Sequence, residues 1–222
     1  MEKLEKKLGY SFTDKILLKT ALTHTSYANE HRCDSYERLE FLGDSVLSII
    51  VSEYLFDKLK NNNEGELSRI RAAVVCEPSL AALSRKIGLD EYLLLGNGDE
   101  KIGSRKRDSI LSDIFEAVLA AVYLDSNLDT ARKYLIEIIK DTINNAMAHC
   151  SDKDYKTTLQ ETVQKKHHGR ASIEYKIVRE TGPEHMKTFY VELFINEKKV
   201  SQGIGKSKKE AEQEAAKKAL NS

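Results

Sequence analysis

The hydrophobic repeat of this chain changes period partway along, and that change limits the possible architectures more than any other feature. Up to about residue 150, apolar residues recur every three or four positions, as in Val46/Leu47/Ile50/Val51/Tyr54/Leu55 and Ile114/Val118/Ala121/Val122. That is the repeat of a helix buried on one side. Beyond residue 170 the apolar positions alternate, at Ile173/Tyr175/Ile177 and at Phe189/Val191/Leu193/Ile195, which is the repeat of a strand. The first part contains a single proline, Pro78. After Glu77 it suits the first turn of a helix, where a missing N–H costs nothing. Loops are expected at 61–66, 88–90 and 96–108. The second part reads as a helix over about 154–166, three strands with the last near 198–204, and a helix from about 207 to 220. On that last helix Ala211, Ala215, Ala219 and Leu220 share a face. The expected fold class is an all-α N-terminal part followed by a small α+β part in the order α-β-β-β-α.

The polar, aperiodic stretch 149–154 reads as a linker between residues 1–148 and 155–222. Residues 1–150 carry 20 Lys and Arg against 24 Asp and Glu, a net of −4, while residues 151–222 carry 15 against 11, a net of +4. The overall balance of zero therefore hides one part suited to holding cations and another suited to a polyanion. With 41% hydrophobic residues the chain is too apolar to be disordered. No apolar run reaches the roughly 18 residues of a membrane span. The N-terminus, MEKLEKKLGYSF, lacks the apolar centre of a secretion signal. Cys33, Cys76 and Cys150 lie far apart, with neither metal-ligand spacing nor an even count. The expected location is the reducing cytoplasm, away from membranes.

Chemistry concentrates in Glu37-Arg38-Leu39-Glu40-Phe41-Leu42-Gly43-Asp44. On a helix, Glu37, Glu40 and Asp44 fall within about 60° of one another, a stripe that repels itself. A second pair, Asp113 and Glu116, shares one side of an otherwise apolar helix, and Glu64 is a sixth candidate in the Asn-rich loop before a helix near Leu67. Oxygen ligands without His or Cys select a hard cation, Mg²⁺ or in its place Mn²⁺. Clustered carboxylates with such ions serve phosphodiester hydrolysis. A solvated helix face carries the same pattern, and spacing alone does not separate the two.

Three ordered blocks carry a resemblance that spacing does not. ERLEFLGDSVL resembles the signature motif of the ribonuclease III family, NEGELSRIRAAVV the stretch after it, and ILSDIFEAVLAAVYLD the second acidic block. The match is to the small bacterial form, one nuclease domain followed by one double-stranded RNA-binding domain, and it extends over nearly the whole chain. The resemblance implies that Glu40, Asp113 and Glu116 ligate Mg²⁺, with Asp44 and Glu116 essential to catalysis. Glu37 and Glu64 match further acidic positions that hold RNA or a second ion. It implies a homodimer formed through the nuclease domain, with Phe41 inserted into the partner; an ordinary core phenylalanine is the other reading. It also implies staggered cuts leaving 5′-phosphate and 3′-hydroxyl ends, with precursor ribosomal RNA and other structured messenger and transfer RNA precursors as substrates.

Double-stranded RNA is recognised by shape, across its minor grooves and the intervening phosphates. Lys206, Lys208 and Lys209 surround an expected helix N-terminus capped by Ser207, a position that favours anions. The run resembles the lysine motif of double-stranded RNA-binding domains. Thr157, Gln160, Glu161 and Gln164 resemble the contact face of such a domain's first helix, and the turn 181–185, with His185, its minor-groove loop. His167-His168 reads as an exposed pair and His24 as a helix-packing residue. The 101–108 loop suits either phosphate contact or plain solvation. Two rivals stand beside the nuclease reading: a duplex-RNA binder without catalysis, and a metal phosphohydrolase with a non-RNA substrate.

Overall fold

The computed structural model describes residues 1–150, 155–167, 170–183 and 186–221. The chain separates into two compact units, Met1–Ser151 and Asp152–Ser222. The first is helical, the second a three-stranded sheet flanked by helices, so the fold class is as the hydrophobic repeats indicate.

The first unit runs α1 (Glu2–Leu8), α2 (Lys15–Ala21), α3 (Thr25–His31), α4 (Glu37–Lys58), α5 (Glu64–Val75), α6 (Glu77–Ile87), α7 (Asn97–Lys101), α8 (Asp108–Asp125) and α9 (Leu128–Cys150). Helix α8 is apolar on nearly every side, and a helix of that kind belongs in the middle of a bundle. Ile110, Leu111, Ile114, Phe115 and the run Ala117–Val122 are all buried. Helices α2, α4, α6 and α9 pack against it, and α4 contributes Val46, Leu47, Ile50, Val51 and Leu55 to the same core. Each such Leu or Ile stabilises the fold by about 1.5–3 kcal/mol when fully buried.

Three of the expected loops are more structured than their composition suggests. Glu64 opens α5 rather than sitting in a loop. Asn63 caps that helix, its side chain accepting from the Glu66 N–H while Glu66 accepts from the Asn63 N–H. The asparagine that marked a loop is thus the start signal of a helix. Gly88 ends α6 in the left-handed region and leads into a short 3₁₀ turn, Leu89–Tyr92. The 96–108 stretch holds α7 and a second 3₁₀ turn, Ser104–Lys106. Helix α9 continues through Cys150, into the stretch read as linker, and residues 151–154 of that stretch lie outside the described residues.

The second unit contains α10 (Tyr155–Lys166), β1 (Ile173–Thr181), β2 (Thr188–Ile195), β3 (Lys198–Gly205) and α11 (Lys208–Leu220). The sheet is antiparallel in the order β1-β2-β3, with Val191 opposite Ile177 on one side and Gly203 on the other. Leu159, Val163, Leu193, Ala215 and Ala216 form its core. Helix α11 lies so close to β3 that a Cβ on Gly203 would stand 2.0 Å from the Ala211 carbonyl oxygen. Glycine and a face of alanines are what allow that approach. Among the described residues no helix is long and apolar enough to cross a membrane.

Candidate active site

The acidic blocks of α4 and α8 meet because α4 has a glycine at the crossing. Gly43 is buried, and a Cβ there would fall 2.0 Å from the Glu116 carbonyl oxygen and 2.5 Å from its carbon. Backbone therefore lies against backbone, and the carboxylates on either side of Gly43, Glu40 and Asp44, are brought to Glu116 and Asp113. Glu40, Asp113 and Glu116 are half-buried; Glu37 and Asp44 are exposed at the mouth.

The carboxylates sense one another strongly. Burial pushes Glu116 up to about 8, helped by the charges of Asp44, Glu40 and Asp113. Burial also raises Glu40, with Asp113 and Glu37 adding to it. Asp113 is raised by burial, and the hydroxyl of Tyr36, donating to Asp113 Oδ2 at 3.2 Å, works against that rise. Among the described residues no Lys or Arg forms an ion pair with any of these groups. Two packed helices hold these carboxylates together, and among the described residues His24 is the basic group whose charge eases Asp113. Nor, among the described residues, do three of these groups converge into a finished cation cage.

This electrostatic burden gives a pH dependence. Unfolded Glu116 releases its proton near 4.5, the folded group near 8. Between those values the folded protein binds more protons, so its stability falls as pH rises. Thermal unfolding in EDTA should show a midpoint that drops from pH 4.5 to about 8, and Glu116→Gln should flatten the drop.

Glu64 does not join the cluster within one chain. It faces Ser68, whose hydroxyl donates to it at 2.8 Å. It lines a groove of about 620 Å³ with Ser52, Phe56, Leu67 and Arg71, roughly 20 Å along α4 from Glu40 at the helical rise. Phe41 is not a core residue: it is 80% exposed, as Ile49 and Phe56 are at 54% and 67%. The three lie within an arc of about 80° on α4, beside the acidic stripe.

In the second unit, Ser207 caps α11, accepting from the Glu210 N–H, and the Glu210 carboxylate accepts from the Lys206 N–H at 2.7 Å. Lys206, Lys208 and Lys209 are all exposed around that terminus. On α10, Thr157, Gln160 and Glu161 are exposed, opposite buried Leu159 and Val163. Gln164 is turned inward instead. Its amide donates to the Ala171 carbonyl at 2.9 Å and its oxygen is buried, so it braces the helix end. His185 lies outside the described residues, as does His168.

Several contributors carried no sequence signal as site residues. Tyr36 reaches Asp113 across 77 positions, and Glu77, at the start of α6, adds its charge to the field on Asp113. His24 packs helices, as its setting in ALTHTSY suggests. Its Nδ1 accepts from the Ser26 N–H at 3.1 Å and its ring meets Tyr36 edge-on. In the 101–108 loop Arg105 is structural, bonding Glu100 and the Asp90 and Leu93 carbonyls, while Lys106 and Arg107 remain exposed.

Comparison with known proteins matches each of the two units to a family. Residues 14–143 match the model of the Ribonuclease-III-like family, and residues 155–222 match the double-stranded RNA binding motif. The chain belongs to the ribonuclease III family. It is 50% identical to Ribonuclease 3 of Caldanaerobacter subterraneus over 220 residues, 98% of this chain and 96% of the relative. It is 48% identical to Ribonuclease 3 of Streptococcus agalactiae, over 98% of this chain and 96% of that one. The solved nuclease domain of ribonuclease III from Campylobacter jejuni superimposes with a TM-score of 0.60 at 41% identity, covering 63% of this chain and 96% of that domain. The protein is thus a ribonuclease III-type endoribonuclease with a module for double-stranded RNA.

Proposed function

We propose that this ribonuclease III-type enzyme cleaves both strands of an RNA duplex by hydrolysis dependent on a divalent cation, Mg²⁺ or Mn²⁺, leaving staggered 5′-phosphate and 3′-hydroxyl ends. The observation that carries the reading is the joining of Glu40, Asp44, Asp113 and Glu116 at the Gly43 crossing, where among the described residues no Lys or Arg pairs with them. An all-oxygen, anionic donor set on two rigid helices fits a hard divalent ion. Glu40, Asp113 and Glu116 would hold it, and Asp44, exposed at the mouth, would orient the attacking water. When bound, such an ion activates water and steadies the departing oxygen.

The apolar stripe of α4 favours a homodimer. Two copies of α4 laid antiparallel about a two-fold axis near their middle would place Phe41 of one chain over the groove beside the other chain's Phe56. The same packing would carry the partner's Glu64 toward the start of the first chain's α4, so that Glu37 and Glu64 flank the path of the RNA. The relative solved from Campylobacter jejuni has a region described as involved in dimer formation. Phe41→Glu, which puts a charge at the centre of that contact, should convert the protein to a monomer in sedimentation analysis and abolish double-strand cutting.

Residues 1–148 would act as the nuclease domain, 149–154 as the linker, and 155–222 as the module that supplies affinity for the duplex. In that module Lys206, Lys208 and Lys209 would meet phosphates, with Thr157, Gln160, Glu161 and His185 at the minor grooves. Structured precursors of ribosomal, messenger and transfer RNA in the cytoplasm are the fitting substrates. Cleavage assays on RNA duplex, DNA duplex and single-stranded RNA test the reading: only the first should be cut. Removal of residues 151–222 should weaken duplex binding severely at physiological salt and leave slow cutting at low salt. Equal cutting by the shortened chain at physiological salt would contradict the division of labour.

A further inference from the structure

The two acidic blocks stand on different helices, and one buried tyrosine joins them. Tyr36 precedes Glu37 directly and is 3% exposed. Its carbonyl accepts the N–H groups of Leu39 at 2.8 Å and Glu40 at 2.9 Å, so it opens α4. Its own N–H donates to the Thr23 carbonyl at 2.9 Å, and its ring stands edge-on to His24 at 5.8 Å. Its hydroxyl donates to Asp113 Oδ2 at 3.2 Å on α8. Backbone bonds fix one end of this residue to the turn that carries Glu40, and the hydroxyl fixes the other end to a carboxylate of the opposing helix.

We propose that Tyr36 is a positioning residue for the divalent cation, holding Asp113 through Oδ2 so that Oδ1 is the oxygen presented to the ion and the spacing of Asp113 from Glu40 is set in advance. The proposal rests on the reading of these carboxylates as a cation site. An aspartate without such a partner rotates about its side-chain bonds, and binding must then restrict it. Outer-shell hydrogen bonds of this kind are typically worth a factor of about ten to a hundred in metal affinity. The tyrosine gives this at little strain, since its ring is already part of the core that includes Leu39 and Ile110.

Tyr36→Phe removes the hydroxyl and keeps the ring. Mn²⁺ binding to the full-length protein without RNA, followed by electron paramagnetic resonance, should weaken about tenfold. The Mg²⁺ concentration for half-maximal cleavage should rise by the same factor, with the rate at saturation nearly unchanged. Tyr10→Phe is the control, because Tyr10 donates an equivalent bond to Asp125 Oδ2 at 2.8 Å away from the acidic cluster. It should lower the unfolding temperature and leave Mn²⁺ affinity as in wild type. If Asp113→Asn loses Mn²⁺ while Tyr36→Phe binds it as wild type does, the positioning role is wrong and the cation site stands. If wild type and Asp113→Asn bind Mn²⁺ alike, the cation site itself falls, and the role of Tyr36 falls with it.

Discussion

Glu116→Gln is expected to end cleavage of duplex RNA while leaving binding intact. The side chain keeps its size and loses its negative charge, at the position where burial and three neighbouring carboxylates already oppose ionisation. A site that spends stability to keep a carboxylate there needs its charge for something other than the fold. The rate should fall about a thousandfold or more, beyond the tenfold to hundredfold typical of an outer-shell partner. Binding in Ca²⁺ should be unchanged, because the contact residues of the second unit are untouched. Stability separates this outcome from misfolding. Removing an acid that resists ionisation should raise the unfolding midpoint in EDTA at pH 8 above that of wild type. Cleavage, duplex binding and thermal unfolding measured on one preparation check all three expectations.

Gly43→Ala should do comparable damage by geometry alone. An alanine in a helix interior normally gains up to about 1 kcal/mol over glycine. Here the added methyl would stand 2.0 Å from the Glu116 carbonyl oxygen and 3.0 Å from its Cα. Both are backbone atoms, with no rotamer by which to move aside. Overpacking of this kind costs about 1–3 kcal/mol and occasionally more, so the steric term exceeds the propensity gain. Relief requires α4 to move off α8, which separates Glu40 and Asp44 from Asp113 and Glu116. Cleavage should therefore be lost while much of the helical fold survives in circular dichroism. Gly98→Ala is the comparison, since a Cβ there meets nothing within 4 Å; it should cut as wild type does.

Much of this architecture is legible in the sequence. The change from helical to strand period reflects burial on one face of each element, a local property, and it yields the fold class directly. The shared stripe of Glu37, Glu40 and Asp44 likewise follows from helical geometry. What stayed hidden depends on contacts between distant segments. Gly43 is visible as a glycine in the acidic motif, but its purpose appears only where α8 crosses it. Tyr36 looks like an ordinary aromatic before a helix, because the hydrogen bond that matters reaches another helix. The sequence alone puts Glu64 in a loop because asparagines signal turns and helix caps alike, and here the Asn63 side chain accepts from the Glu66 N–H. Gln164 shares the helical face of Gln160, yet its amide is drawn inward by the Ala171 carbonyl.

The central claim is that the carboxylates joined at Gly43 cut duplex RNA on both strands with a divalent cation. End-labelling each strand of an RNA duplex in turn, and mapping the cuts made by wild-type protein in Mg²⁺ and in Ca²⁺, tests it most directly. The account predicts paired, staggered cuts with 5′-phosphate ends in Mg²⁺, and a bound but intact duplex in Ca²⁺. A duplex that is bound and uncut under both conditions would contradict it and leave a binding protein in its place.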